Sequence, residues 1–237
     1  MALEQRTLLV APRRALLGEY LDHRPFLSES GVRAQAQTGR PGGRSGRIPA
    51  EMRIVALADR PPHGDLEALV HRSRAAAVLC LGDLDPAWIE PLERVRVPKL
   101  GVYGNHDHEA YMDWYGIEDL HLRAAQVDGV SFSGFEGCVR YKRDGDHMFS
   151  QRAARRLVRD LPPADVLLCH CPPAGVNDDP QDRAHVGFEA LREWVERHRP
   201  RHLLHGHTHP HPGRIVERLG DTRVHYLKGA RAVALEL

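Results

Sequence analysis

Met52-Arg53-Ile54-Val55-Ala56-Leu57-Ala58-Asp59 is the run on which the fold turns. It is apolar apart from Arg53 and stops on a carboxylate, the pattern of a strand buried on both faces. Downstream, the hydrophobic period alternates between helix and strand. The spacing predicts a helix near 65–76, a strand at 77–81, a short helix at 86–94 and a strand at 98–103. A hairpin over 125–135 turns at Asp128-Gly129, a pair suited to the left-handed conformations of a tight turn. A helix at 149–160, a strand at 165–169, a helix at 187–198 and a strand at 202–205 follow. Three β-type runs, at 213–218, 222–227 and 231–237, close the chain. Alternating α and β with an all-β finish predicts two stacked mixed sheets flanked by helices, a four-layer α-β-β-α sandwich.

Upstream of Met52 the character is different. Residues 30–50 are dominated by Gly, Arg and Ser and show no period, so they bury too little apolar surface to offset their ordering entropy. Residues 1–51 are read as a disordered N-terminal extension and 52–237 as the domain. The extension carries eight arginines against five acidic residues. Without aromatic interleaving, that excess is weak support for a nucleic-acid arm.

Composition excludes several classes. Charge is nearly balanced, 33 Lys+Arg against 32 Asp+Glu, so no global field points to nucleic acid or membrane. No apolar run approaches the roughly 18–20 residues of a membrane span. Cys80, Cys138, Cys169 and Cys171 form no Cys-x-x-Cys pair and no disulfide framework. The expectation is a cytoplasmic protein with reduced thiols. Sixteen histidines stand out, several of them in the last third, which favours metal chemistry.

Ligand-type residues recur just past the predicted strands: Asp59, Gly82-Asp83, Gly104-Asn105-His106-Asp107, His170, and Gly206-His207-Thr208-His209. Strand carboxyl ends are where open α/β sheets bind ligands, so loops far apart in sequence can meet in one crevice. Carboxylate, imidazole and amide oxygen together suit first-row divalent ions. In an extended His-x-His both rings share a face. Taken singly, the same residues have plainer readings: Asp59 as a helix cap, Asp83, Asn105 and His106 as turn residues, His202 and His205 as packed strand residues. Cys169 and Cys171 read as small buried residues flanking His170.

Gly-Asp, Gly-Asn-His-Asp, His-x-Pro and Gly-His-Thr-His in this order resemble the motifs of the calcineurin-like metallophosphoesterase superfamily, over essentially all of 52–237. The resemblance implies two divalent ions, manganese first and iron, zinc or nickel as alternatives. Asp83 would bridge them, Asp59 and His209 would bind the first, and Asn105, His170 and His207 the second. It also implies His106 as general acid, with Asp107 orienting it. The implied reaction is hydrolysis of a phosphate mono- or diester by in-line attack of a hydroxide bridging the ions.

The first motif departs from the pattern. Asp59 is followed by Arg60-Pro61, so the expected Asp-x-His lacks its histidine, and His63 lies two residues late behind Pro61-Pro62. Arg140, Tyr141 and Arg143 are read either as contacts to the phosphate ester or as a solvated basic loop. That departure keeps a catalytically silent interaction module on the same scaffold as one alternative, and the basic segments keep a nuclease as another. The expected partner is a phosphate-ester substrate. No membrane is expected, nucleic acid is not favoured, and oligomeric state is not legible.

Overall fold

The computed structural model describes residues 49–108 and 110–237; the expected extension, up to residue 48, lies outside them. The first strand, β1, is Glu51–Ala58 and opens one residue before the predicted start. It lies between β13 (Gly229–Glu236), antiparallel, and β2 (Ala77–Cys80), parallel. β3 (Lys99–Gly101) and β4 (Glu118–Asp119) extend this sheet in the order β13-β1-β2-β3-β4. The second large sheet runs β11-β12-β10-β9-β6-β5. Its strands are β5 (Ala124–Val127), β6 (Val130–Phe135), β9 (Val166–Cys169), β10 (His202–His205), β11 (Arg218–Leu219) and β12 (Thr222–Tyr226). A small parallel pair, β7 (Cys138–Val139) and β8 (Met148–Phe149), stands apart from both sheets.

The period of two along each strand sorts the core into layers. From β1, Ile54, Ala56 and Ala58 point to the space between the sheets, where they join Leu79, Leu100, Phe132, Val166, Leu168 and Leu204. Val55 and Leu57 point the other way, onto Leu66 and Val70 of helix α1 (Leu66–Ser73). In the second sheet Leu167, Cys169 and Leu203 face Leu191, Trp194 and Val195 of α5 (Glu189–His198) and Ala154 of α4 (Gln151–Leu157). The four-layer expectation is met. The central strands β2 and β9 are apolar throughout because both of their faces are covered, β10 buries His202 and His205 at its two ends, and each fully buried Leu, Ile or Val contributes about 1.5–3 kcal/mol.

The hairpin turns where the sequence predicts, with Asp128 at φ 49° and Gly129 at φ 84°. Asp65 caps α1 by accepting from the Ala68 N–H at 3.0 Å. Two predictions need correction, and one helix was not predicted. The helix at 86–94 is α2 (Pro86–Ile89) continued as a 3-10 turn over Glu90–Glu93, since Pro91 has no N–H for the α ladder. The strand at 213–218 is a 3-10 turn, Pro212–Arg214, started by the His211 side chain, followed by the short β11. Helix α3 (Tyr111–Tyr115) had no periodic signal long enough to read. No helix among the described residues is long and apolar enough to cross a membrane.

Candidate metal centre

β1, β2 and β3 run parallel in the first sheet, and β6, β9 and β10 in the second. Asp59, Asp83 and the 104–107 turn follow the first set, His170 and the 206–209 turn the second. Two bonds stitch one sheet's loops to the other's. The His170 Nδ1–H donates to the Leu81 carbonyl at 2.7 Å, and the His207 backbone N–H donates to the Asp59 carboxylate at 3.0 and 3.1 Å. The strand ends that sequence separates by about a hundred residues thereby share one floor.

Asp59, Asp83 and His207 all adopt the left-handed conformation, at φ 59°, 54° and 65°. Such a conformation is strained for a residue with a Cβ and clusters at ligand sites. The turns around them leave no slack. A Cβ on Gly82 would collide with the Gly104 backbone, and one on Gly104 would collide with the Asp83 carboxylate. Gly82 is itself at φ 85°.

Asp107 has a different task from the one expected. Its buried carboxylate accepts from the backbone N–H of Asp83 (3.0 Å), Leu84 (2.9 Å) and Gly104 (2.7 Å) and from the Tyr111 hydroxyl (3.1 Å). No bond to the His106 ring is present among the described residues. The oxygens of Asp107 are committed to the turns that present Asp83 and Asn105, which makes it a clamp on the floor. His106 is exposed on the wall of a cleft of ≈ 610 Å³, beside Asp83, Trp88 and Tyr111, and its backbone N–H holds Asp83 Oδ1 at 2.8 Å.

At the floor, lone pairs converge. Because Leu81 O can only accept, the neutral His170 ring carries its hydrogen on Nδ1 and turns a bare Nε2 inward. That nitrogen meets Asn105 Oδ1 at 3.2 Å and Asp83 Oδ2 at 3.5 Å, and none of the three can donate. Asn105 Nδ2 is buried without a partner. Turning the amide over satisfies His170 but leaves the oxygen stranded instead, so either orientation leaves an unmet group. His207 completes the set: Asp83, His170 and His207 each offer a ligand atom within 4.8 Å of the others.

The titration of these groups reflects that crowding. Burial pulls the His170 pKa down, yet the Asp83 carboxylate beside it wins and lifts it to about 9. Asp83, despite burial, is held well below the usual carboxylate range by His170. His207 drops to about 3, from burial first and then the neighbouring His170 charge. The pocket therefore demands a positive charge, whether a trapped proton or an ion.

The Asp59 side is built differently. Burial raises its carboxyl to about 6. His209 is exposed, with its ring 5.1 Å from that of His185. His63 is exposed and outside the cluster. Arg60 is also exposed, and Lys228 joins this side from β13's approach.

His185, which the sequence reads as a surface or loop residue, pairs its Nδ1 with Asp182 Oδ2 at 2.6 Å, and its ring lies 5.2 Å from that of His207. The Ala184 carbonyl takes up His207 Nε2 at 2.8 Å. Nothing in the irregular 178–187 segment signals this; a His three residues after an Asp was its only trace. Arg140 spends its guanidinium on the carbonyls of Arg143 (3.0 Å) and Met148 (2.7 Å), so it braces its own loop. The cysteines are buried thiols, and Cys80 and Cys138 are both pushed up to about 12 by burial.

A sequence profile described as calcineurin-like phosphoesterase matches residues 52–211. One solved structure superposes with a TM-score of 0.57 at 16% identity, over 78% of this chain and 95% of its own. The crystal structure of TT1561 of Thermus thermophilus does so with a TM-score of 0.51 at 18% identity, over 73% of this chain and 87% of its own. At these identities the likeness shows the fold. No curated protein matches the sequence. With the profile spanning most of the chain, the protein belongs to the calcineurin-like phosphoesterase family, which implies a phosphate-ester hydrolase with divalent metal cofactors.

Proposed function

We propose that the protein hydrolyses a phosphate ester at the floor formed by Asp83, Asn105, His170 and His207, with a divalent cation held there. The observation that carries the reading is the convergence of His170 Nε2, Asn105 Oδ1 and Asp83 Oδ2 in one buried place, where a neutral imidazole leaves three acceptors facing one another and only a proton or a cation can satisfy them. Carboxylate, amide oxygen and imidazole form a donor set that fits manganese, iron, zinc or nickel better than magnesium or calcium, which take oxygen ligands. A divalent ion so bound supplies Lewis acidity, lowering the pKa of water and neutralising phosphoryl charge.

The chain's own groups do the rest. Asp107 fixes the Asp83 and Gly104 turns, so the ligands are held in place before substrate arrives. The Nδ1–H bond to Leu81 locks His170 in the tautomer that leaves Nε2 bare. His106, exposed on the cleft wall beside Asp83, is the proton donor: as the oxygen of water bonds to phosphorus opposite the leaving oxygen, the P–O bond breaks, the leaving oxygen takes a proton from the ring, and the proton that the water releases restores the ring. Trp88 and Pro86 line the same cleft and offer a flat apolar wall to the alcohol portion, favouring an ester with an aromatic or planar group.

The test is hydrolysis of bis(p-nitrophenyl) phosphate by metal-stripped protein with Mn²⁺, Fe²⁺, Zn²⁺ or Ni²⁺ restored singly. Turnover should depend on the added ion and fall about 10²–10⁴-fold in His106→Ala. Absence of turnover with every ion, in folded protein, would support the catalytically silent scaffold.

A further inference from the structure

The Asp59 side of the floor has a charge pattern that the Asp83 side lacks. The β1–β13 ladder ends on the pair Ala58 and Gly229, and the next positions on the two strands are Asp59 and Lys228. The Arg60–Pro61 turn folds back over this end: a Cβ on Gly229 would touch the Pro61 carbonyl at 3.5 Å. Lys228 and, one residue past Asp59, Arg60 bring two exposed cationic side chains to this end of the ladder.

Donors are correspondingly few. Both Asp59 oxygens already receive the His207 N–H. At position 61, where the family resemblance calls for an imidazole, stands a proline with no ligand atom, and His63 is exposed outside the cluster. A dication on this side would meet fixed positive charge and a thin ligand shell. The Asp83 side has no lysine or arginine among its four ligand-type residues and an acceptor surplus. One side fits a metal ion and the other does not.

We propose that the centre holds a single divalent ion, on Asp83, Asn105, His170 and His207, and that Lys228 brings to the Asp59 side the positive charge of the ion that is not bound there. This rests on the metal-dependent reading above. Lys228 is a compact point charge on a flexible stem, able to face a phosphoryl oxygen across the floor from the ion.

The experiment counts metal per chain by inductively coupled plasma mass spectrometry, after the full-length protein is equilibrated with excess Mn²⁺ or Zn²⁺ and desalted. The wild type should hold one ion, and Pro61→His/Lys228→Ala, which restores an imidazole and removes the cation, should hold two. Lys228→Ala alone should keep one ion and lose about 100-fold in kcat on bis(p-nitrophenyl) phosphate, with partial recovery in Lys228→Arg. Both positions are exposed, and the wild-type count decides the matter even if a variant folds poorly. Two ions in the wild type, with hydrolysis that still needs Asp83, would overturn the single-ion centre alone. An unchanged kcat in Lys228→Ala would overturn the role of that residue. Hydrolysis by wild type holding no ion would overturn the metal reading and this inference together.

Discussion

The Asp83 side and the Asp59 side of the floor start from the same materials, a carboxylate in a left-handed conformation and a histidine after β10. They diverge in what surrounds them. Around Asp83 the neighbours are acceptors in a buried pocket, with Asp107 clamping the turns from beneath. Around Asp59, Arg60 follows in the chain and Lys228 stands across the end of the β1–β13 ladder, one ligand candidate is exposed, and a proline stands where a donor is called for. A strained carboxylate thus says that a loop is built for something; the charges within reach of it say whether that something is a metal ion.

The contrast is broken most severely at Asp83. Asp83→Ala should abolish hydrolysis, by about 10³-fold or more, and release the ion; Asp59→Ala should cost activity while the ion stays. Equal loss of metal in both variants would erase the distinction. The second largest effect should be on stability. Asp107→Ala strands three backbone N–H groups and the Tyr111 hydroxyl, a change expected to cost about 4 kcal/mol and lower Tm by about 10 °C. A thermal melt within about 2 °C of wild type would contradict the clamp.

A smaller effect is expected away from the floor. His225 is lowered to about 4 by burial, and then by the charges of His202, Arg231 and Arg223. In the unfolded chain its pKa returns to about 6.5. The unfolded state therefore takes up the proton first, and the stability linked to His225 is full above pH 6.5 and lost as pH falls towards 4. Melts of wild type and His225→Asn at pH 7 and 5 should show a smaller acid-induced drop in the variant. Last, His63→Ala should change turnover by less than about twofold; a large loss would mean that His63 reaches the Asp59 side after all and would sharpen the contrast in the other direction.

Much of this was legible in the residues. The apolar run from Met52 and its successors mark the buried strands, because a strand covered on both faces has few positions for polar side chains, and of the ligand-type residues at their ends Asp83, His170 and His207 bring ligand atoms within 4.8 Å of one another. What was not legible came from three physical sources. Asp107 was expected to orient His106, but backbone donors that only the fold positions claim its oxygens. His185 sits in an irregular segment, where no periodicity marks which side chain turns inward. Lys228 acquires its meaning from strand register: in sequence it lies 169 positions from Asp59, and only the antiparallel ladder with β13, which ends on Ala58 and Gly229, brings the two positions to the same end.

The most direct test of the account is anomalous diffraction from crystals equilibrated with Mn²⁺ or Zn²⁺, recorded at the absorption edge of the ion. A peak is expected within about 2.0–2.2 Å of ligand atoms of Asp83, Asn105, His170 and His207. A fully occupied peak at Asp182 and His185, or on Asp59 and His209 with none between Asp83 and His170, would contradict it.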